Sequence, residues 1–107
     1  MTNFYQSLET AFRSRLDAPA LILKDRPDWN FQQLVSVVDQ FAAVLRAQGV
    51  VAGERVMAQV EKSPENLALY LATLKVGGVY VPLNTAYTVA ELDYFVNDAQ
   101  PRLFVGT

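Results

Sequence analysis

The chain contains no cysteine and no histidine among its 107 residues. Without cysteine there can be no disulfide and no thiolate metal site. Without histidine, the commonest metal ligand and the usual general base near neutral pH are both missing. Hydrolysis by a Ser-His-Asp triad and zinc chemistry are therefore excluded for these residues. Charge of one sign is also lacking. The formal net charge is -2, residues 1–53 hold five basic and five acidic side chains, and residues 54–107 hold four and six. No basic face is expected, so nucleic acid is not an expected partner. Long apolar runs are absent from the start of the chain, where Met1 to Phe12 alternates polar and apolar residues. Neither a signal peptide nor a membrane span is expected, and a cytoplasmic location is the default.

What remains is a chain rich in core material. Hydrophobic residues make up 51%, including six Phe, five Tyr and Trp29, which is more apolar surface than disordered chains carry. The length fits one unit spanning 1–107, either a small domain or part of a larger one.

Periodicity supplies the elements. Phe4, Leu8 and Phe12, with Tyr5 and Ala11 beside them, form one stripe of a first helix, and Pro19 blocks its continuation. Ala20 to Leu23 reads as a short buried strand and Lys24 to Asp28 as a polar turn. Phe31, Leu34, Val35, Val38, Phe41, Ala42 and Leu45 keep helical spacing, with Asn30 and Gln33 placed as a capping box and Gly49 as the stop. Residues 55–60 read as a strand covered on both faces. Ser63 and Pro64 open a helix over 64–76 that is apolar nearly all round, and Gly77-Gly78 ends it. Residues 79–83 read as the next strand. Thr88 and Glu91, with Tyr87 and Leu92 at the staple positions, cap a helix over 89–99, and residues 102–105 form a last strand. Helices alternating with short apolar strands predict an α/β fold with a mainly parallel sheet and right-handed crossovers.

Residues that could carry chemistry have structural explanations. A phosphate loop needs several glycines between a strand and a helix, whereas Gly77-Gly78 follows a helix and precedes a strand. Asp25 with Asp28 lies in a turn, and Glu91 with Asp93 lies in a first helical turn, where negative charge suits the macrodipole. Ser63 beside Lys62 could suggest a Ser/Lys nucleophile, but adjacent side chains diverge and Ser63 already serves as a cap. Trp29 stands between a polar turn and a helix start, placed to cover the helix end or meet a neighbouring segment. Tyr80, Asn84, Tyr87 and Tyr94 gather near the C-terminal end of a strand, where open α/β sheets bind ligands, and form a candidate ligand site resting on fold analogy. No catalytic, cofactor-binding or metal residue is assigned.

The order and spacing of Gly53-Glu54-Arg55-Val56, Glu61 to Glu65, Leu69 to Ala72 and Gly77 to Asn84 resemble the early part of AMP-forming acyl-CoA synthetases. Thr85 to Phe95 is most similar to the malonyl-CoA synthetase branch. Trp29 to Leu34 resembles the family's aromatic-Thr-Tyr-x-Glu-Leu segment, with Asn30 for Thr and Gln33 for Glu. The resemblance implies the N-terminal subdomain of the synthetase large domain. It also implies a parent reaction in which a carboxylate attacks ATP to give an acyl-adenylate, magnesium assists, and CoA then displaces AMP. The family's phosphate loop, nucleotide contacts and catalytic Lys match nothing here, so the chain alone is expected to be inactive, with no cofactor of its own. Expected partners are the missing remainder of a synthetase or a second copy of the chain. Two other readings stay open: a stand-alone interaction module built from this subdomain, and a small doubly wound binding domain unrelated to synthetases.

Overall fold

A computed structural model describes residues 4–24, 26–61, 63–86, 88, 90–91, 96–97 and 101–106. Helix α1 spans Phe4–Arg13. Tyr5 is fully buried and Leu8 and Phe12 pack against the core as the spacing predicts, whereas Ala11 is exposed and the Phe4 side chain lies outside what is described. The Phe12 ring stacks on Phe31 at 5.1 Å between centroids.

Strands β1 (Pro19–Leu21) and β2 (Trp29–Asn30) pair antiparallel in a ribbon separate from the main sheet. This corrects the expectation of a buried strand over 20–23. Parallel pairing needs a crossover of roughly a dozen residues or more, and the link from Leu21 to Trp29 is shorter, so only a hairpin is open to it. Asp28 tightens that link by accepting a hydrogen bond from the Leu23 N–H at 2.7 Å, which leaves Ile22 85% exposed on the turn. The Arg26 guanidinium lies 5.5 Å from the centre of the Trp29 ring, and its Nη2 donates to Glu65 Oε2 at 2.7 Å, tying the turn to a later helix.

Helix α2 spans Phe31–Ala47 behind a complete capping box. The Gln33 N–H donates to Asn30 Oδ1 and the Asn30 N–H to Gln33 Oε1, each at 2.8 Å. Both orphan donors are thus satisfied reciprocally. At its other end Gly49 takes φ +84°, and the N–H groups of Gly49 and Val50 donate to the carbonyls of Arg46 and Leu45. Helix α3, Pro64–Lys75, closes the same way through Gly77 at φ +79°, with Gly77 and Gly78 donating to Leu74 and Thr73. These paired bonds are a Schellman stop, in which glycine avoids the Cβ penalty of left-handed backbone.

Strands β3 (Arg55–Gln59), β4 (Val79–Pro82) and β5 (Leu103–Gly106) form a parallel sheet in the order β4-β3-β5. Met57 stands level with Val81 on one side and Phe104 on the other. Central β3 buries Val56, Met57 and Ala58, as a strand covered on both faces should. Val56 and Ala58 join Leu34, Val38, Ala42, Leu45, Ala68 and Ala72 in the helix-side core. Met57 points to the opposite face by the alternation of the pleat. The chain moves one way from β3 to β4 and the other way from β4 to β5.

The helix expected over 89–99 lies partly outside the described residues. Ala90, Glu91, Val96 and Asn97 are helical, and the Thr88/Glu91 box is formed: the Thr88 N–H donates to Glu91 Oε1 at 3.0 Å, and the Glu91 N–H donates to Thr88 Oγ1 at 3.2 Å. The staple residues Tyr87 and Leu92 are outside the described residues.

Candidate functional site

The strands point their C-terminal ends toward Gln59, Leu83, Asn84 and Gly106, the end at which open α/β sheets receive ligands. Tyr80 lies there half-buried. Its hydroxyl is 2.5 Å from Asn66 Oδ1 and its ring meets Tyr70 edge-on at 5.3 Å. Burial pushes the Tyr80 phenol above its ordinary pKa, so it stays protonated and donates. Asn84 is turned to local work: its Oδ1 accepts from the Ala86 N–H at 2.8 Å, and its carbonyl accepts from Gln59 Nε2 at 3.1 Å. Tyr87 and Tyr94 lie outside the described residues. Of the four-residue candidate cluster, the structure therefore supplies one tyrosine fixed to a helix and one asparagine that shapes a turn.

The other candidates take the structural roles that the sequence suggested. Ser63 Oγ caps α3 by accepting from the Asn66 N–H at 3.0 Å, while Lys62 is outside the described residues. Asp28 holds the β1/β2 turn and Asp25 is outside the described residues. Glu91 is occupied by its capping box, and hydrogen bonds from Thr88 hold its carboxyl below the usual value. Asp93 is outside the described residues. Gly77-Gly78 terminates α3, and a Cβ on Gly78 would stand 3.1 Å from the Thr73 methyl and 3.2 Å from the Glu54 carbonyl oxygen. Among the described residues no group of three or more Asp or Glu could hold a metal ion, and no helix is long and apolar enough to cross a membrane.

Two features were not foreseen. Lys75, in the last turn of α3, joins three helices: its Nζ reaches Glu9 Oε1 of α1 at 3.2 Å and Asp39 Oδ1 of α2 at 2.5 Å, and lies 5.7 Å from the centre of the Tyr5 ring. Arg13 completes the group, 2.7 Å from Glu9 and 3.6 Å from Asp39. Burial alone would raise the Glu9 pKa, but hydrogen bonds from Arg13 and Lys75 outweigh it and hold the carboxyl below its ordinary value. Helical periodicity places each of these residues on a helix surface without saying which surfaces meet. The second feature is a cleft of about 400 Å³ on the helix side of the sheet. Phe41 and Val44 of α2 form one wall, Leu103 and Val105 of β5 another, and Val60, Glu61 and Leu69 close it. Its exposed lining is mainly apolar; Ser63, Glu65 and Asn66 also border it, but Ser63 is engaged by its cap, Glu65 by Arg26 and Asn66 by Tyr80.

The fold and these local roles have counterparts in known proteins. A family model described as AMP-binding enzyme matches residues 8–107. In the crystal structure of apo MatB from Rhodopseudomonas palustris, 91% of this chain superposes with a TM-score of 0.82 at 45% identity, covering 20% of the MatB chain. MatB has also been solved with ATP bound. The 3-hydroxybenzoate--CoA/4-hydroxybenzoate--CoA ligase of Thauera aromatica is 36% identical over 73 residues, 68% of this chain and 14% of the ligase. Tyrocidine synthase 2 of Brevibacillus parabrevis is 36% identical over 86 residues, 80% of this chain and 2% of that protein. The chain thus spans a small part of each relative's length. It belongs to the AMP-binding, adenylate-forming enzyme family, and its α/β fold is that of the N-terminal subdomain of acyl-CoA synthetases, with the malonyl-CoA synthetase MatB a structural neighbour at 45% identity.

Proposed function

We propose that this chain is the N-terminal subdomain of a cytoplasmic malonyl-CoA synthetase, and that its contribution is architectural. The observation that carries the reading is the 45% identity to MatB across 91% of the chain. That is well above the 24–27% identity of other adenylate-forming neighbours that superpose with higher TM-scores, 0.86–0.88, such as the anthranilate CoA ligase AuaEII. Fold similarity alone does not separate the branches, whereas the identity favours one.

In the whole synthetase, ATP, magnesium and CoA would be the reactants and the metal. The described residues do not fit them. The only adjacent glycine pair is locked into a helix stop, the carboxylates are dispersed into caps and ion pairs, and the apolar cleft has nothing to hold a triphosphate. No step of adenylation is assigned to a residue here, and the chain alone is inactive. What it supplies is a closed helix layer on a short parallel sheet.

The test has two arms. The purified 107-residue chain, with ATP, magnesium and malonate, releases no pyrophosphate above a buffer control; release that survives removal of contaminating synthetase refutes the architectural role. A full-length synthetase carrying this subdomain releases pyrophosphate with malonate in preference to acetate or benzoate. A preference for an aromatic or amino acid moves the chain to another branch of the family. The second reading, a stand-alone interaction module, is favoured by the open cleft beside β5; a cooperative melt of the 107-residue chain at a strictly monomeric mass supports it, and a non-cooperative, aggregating chain counts against it.

A further inference from the structure

The three helices are not held equally. Helices α2 and α3 each bury five residues, whereas α1 turns a narrow stripe inward: Tyr5 is buried, Leu8 and Phe12 are partly so, and Gln6, Ser7, Thr10 and Ala11 are exposed. A helix of ten residues is too short to persist by itself in water, so α1 keeps its turns only while docked. The chain is pinned just after it. The N–H groups of Phe31 and Gln32 donate to the carbonyls of Ala18 and Leu16 at 3.1 and 3.0 Å, so α1 can leave without disturbing the β1/β2 ribbon or the start of α2.

Charge makes up for the narrow stripe. The titratable groups at the junction are Tyr5, Glu9 and Arg13 of α1, Asp39 of α2 and Lys75 of α3. Among the described residues, every ion pair that crosses between these helices runs through a carboxylate: Glu9 meets Lys75, and Asp39 meets both Lys75 and Arg13. Protonating Glu9 and Asp39 removes all three links together and leaves two like charges, Lys75 and Arg13, gathered at the junction. The Tyr5 phenol, pushed up to about 12 by burial first and by Glu9 and Asp39 next, stays neutral and supplies no compensating charge.

From this geometry we propose that α1 is a latch: it opens as a unit while α2, α3 and the sheet stay folded, and the ionised carboxylates of Glu9 and Asp39 keep it shut. The latch is firmest where both are charged. It loosens as the pH falls below the ordinary carboxyl value of 4.5 and through the lower folded value of Glu9. Opening bares the ring of Phe31, on which Phe12 stacks, and the seat of Tyr5.

Hydrogen exchange of the 107-residue chain, read by mass spectrometry on peptides from each helix and converted to protection factors, measures the opening. At about pH 7, α1 should be protected about tenfold less than the centre of α2, and low concentrations of urea should lower its factor only slightly, because opening exposes little surface. Between about pH 7 and about pH 3.5 the α1 factor should fall about tenfold, as three partly screened ion pairs are lost. The combined variant Glu9→Gln with Asp39→Asn should show that lowered α1 factor already at about pH 7, and no further fall in acid. The centre of α2 exchanges through full unfolding, which also releases Glu65 from Arg26 and Glu91 from Thr88, so it should keep a pH response in the variant. One protection factor and one urea dependence shared by α1 and α2, whether high or low, overturns the proposal. So does an α1 factor that is indifferent to pH, or a double variant whose α1 retains the native response. None of these outcomes bears on the malonate reading, which rests on pyrophosphate release by the full-length enzyme.

Discussion

Lys75→Met removes the one cation that reaches α1 and α2 from α3 while keeping the length of the aliphatic stem. The side chain of Lys75 is 22% exposed, and those of Glu9 and Asp39 are 18% and 43% exposed, so the group is neither fully solvated nor dry. Exposed ion pairs are worth about 0–1 kcal/mol each, and breaking a buried pair costs about 3–5 kcal/mol because a charge is stranded. Glu9 keeps Arg13 at 2.7 Å after the substitution, which limits the stranding. Loss of the cation over the Tyr5 ring adds about 0.5 kcal/mol. Together these place the cost at roughly 1–2 kcal/mol, toward the lower end of the buried case. Urea denaturation followed by circular dichroism should show the midpoint falling at constant slope, since the exposed area on unfolding hardly changes. A double-mutant cycle with Asp39→Asn should give a coupling energy of at least about 0.5 kcal/mol, as expected for contacting residues. If Lys75→Met leaves the midpoint in place, or the cycle shows simple additivity, the three-helix clamp contributes nothing and the helix layer is held by its apolar core, Tyr5, Leu34, Val38, Ala42, Ala68 and Ala72 among it.

The same layer and its caps yield three shorter predictions. The Glu9 carboxyl is held below its ordinary value of 4.5, so its contribution to stability is present in full above that pH and is lost as pH falls through the lower folded value; Glu9→Gln should flatten the acid limb of a stability-versus-pH curve, and an unchanged limb refutes this. Asn30→Ala removes the Oδ1 that accepts from the Gln33 N–H and leaves the backbone leg to Gln33 Oε1, and should cost about 1 kcal/mol by urea denaturation, whereas a change below roughly 0.3 kcal/mol would leave the side-chain cap without energetic weight. Gly77→Ala places a Cβ at φ +79°, 3.2 Å from the Ala52 Cβ, and should cost roughly 1–2 kcal/mol; equal stability would show that the α3 stop relaxes freely.

Much of this fold could be read from the chain because its signals are local. Asn30 and Gln33, Ser63 and Pro64, Thr88 and Glu91, and the glycines at 49 and 77 act within a few residues of themselves, and each does in the structure what its type and spacing imply. The strands 55–59, 79–82 and 103–106 were legible as short apolar runs between those punctuation marks. The β1/β2 ribbon was not, because apolar character over 20–23 says nothing about the partner, and the partner was decided by the short link to Trp29. The Lys75 clamp was invisible for a related reason. Glu9 and Lys75 are 66 residues apart, and only packing of α1 against α3 brings them within 3.2 Å.

The candidate site fails for a reason that is itself informative. In an open α/β sheet the ligand crevice forms outside the carboxyl ends of strands where neighbouring connections leave in opposite directions. The β3 and β4 connections here do diverge in that way, yet the groups at that end are consumed locally: Tyr80 by Asn66, Asn84 by the turn to Ala86, Ser63 by its cap. A group committed to holding its own backbone has no spare donor to aim at a substrate. Among the described residues the uncommitted surface is apolar instead, in the cleft between α2 and β5. Polar groups satisfied within the chain beside an open apolar cleft are the reverse of a small-molecule site, and they suit a surface that meets more protein.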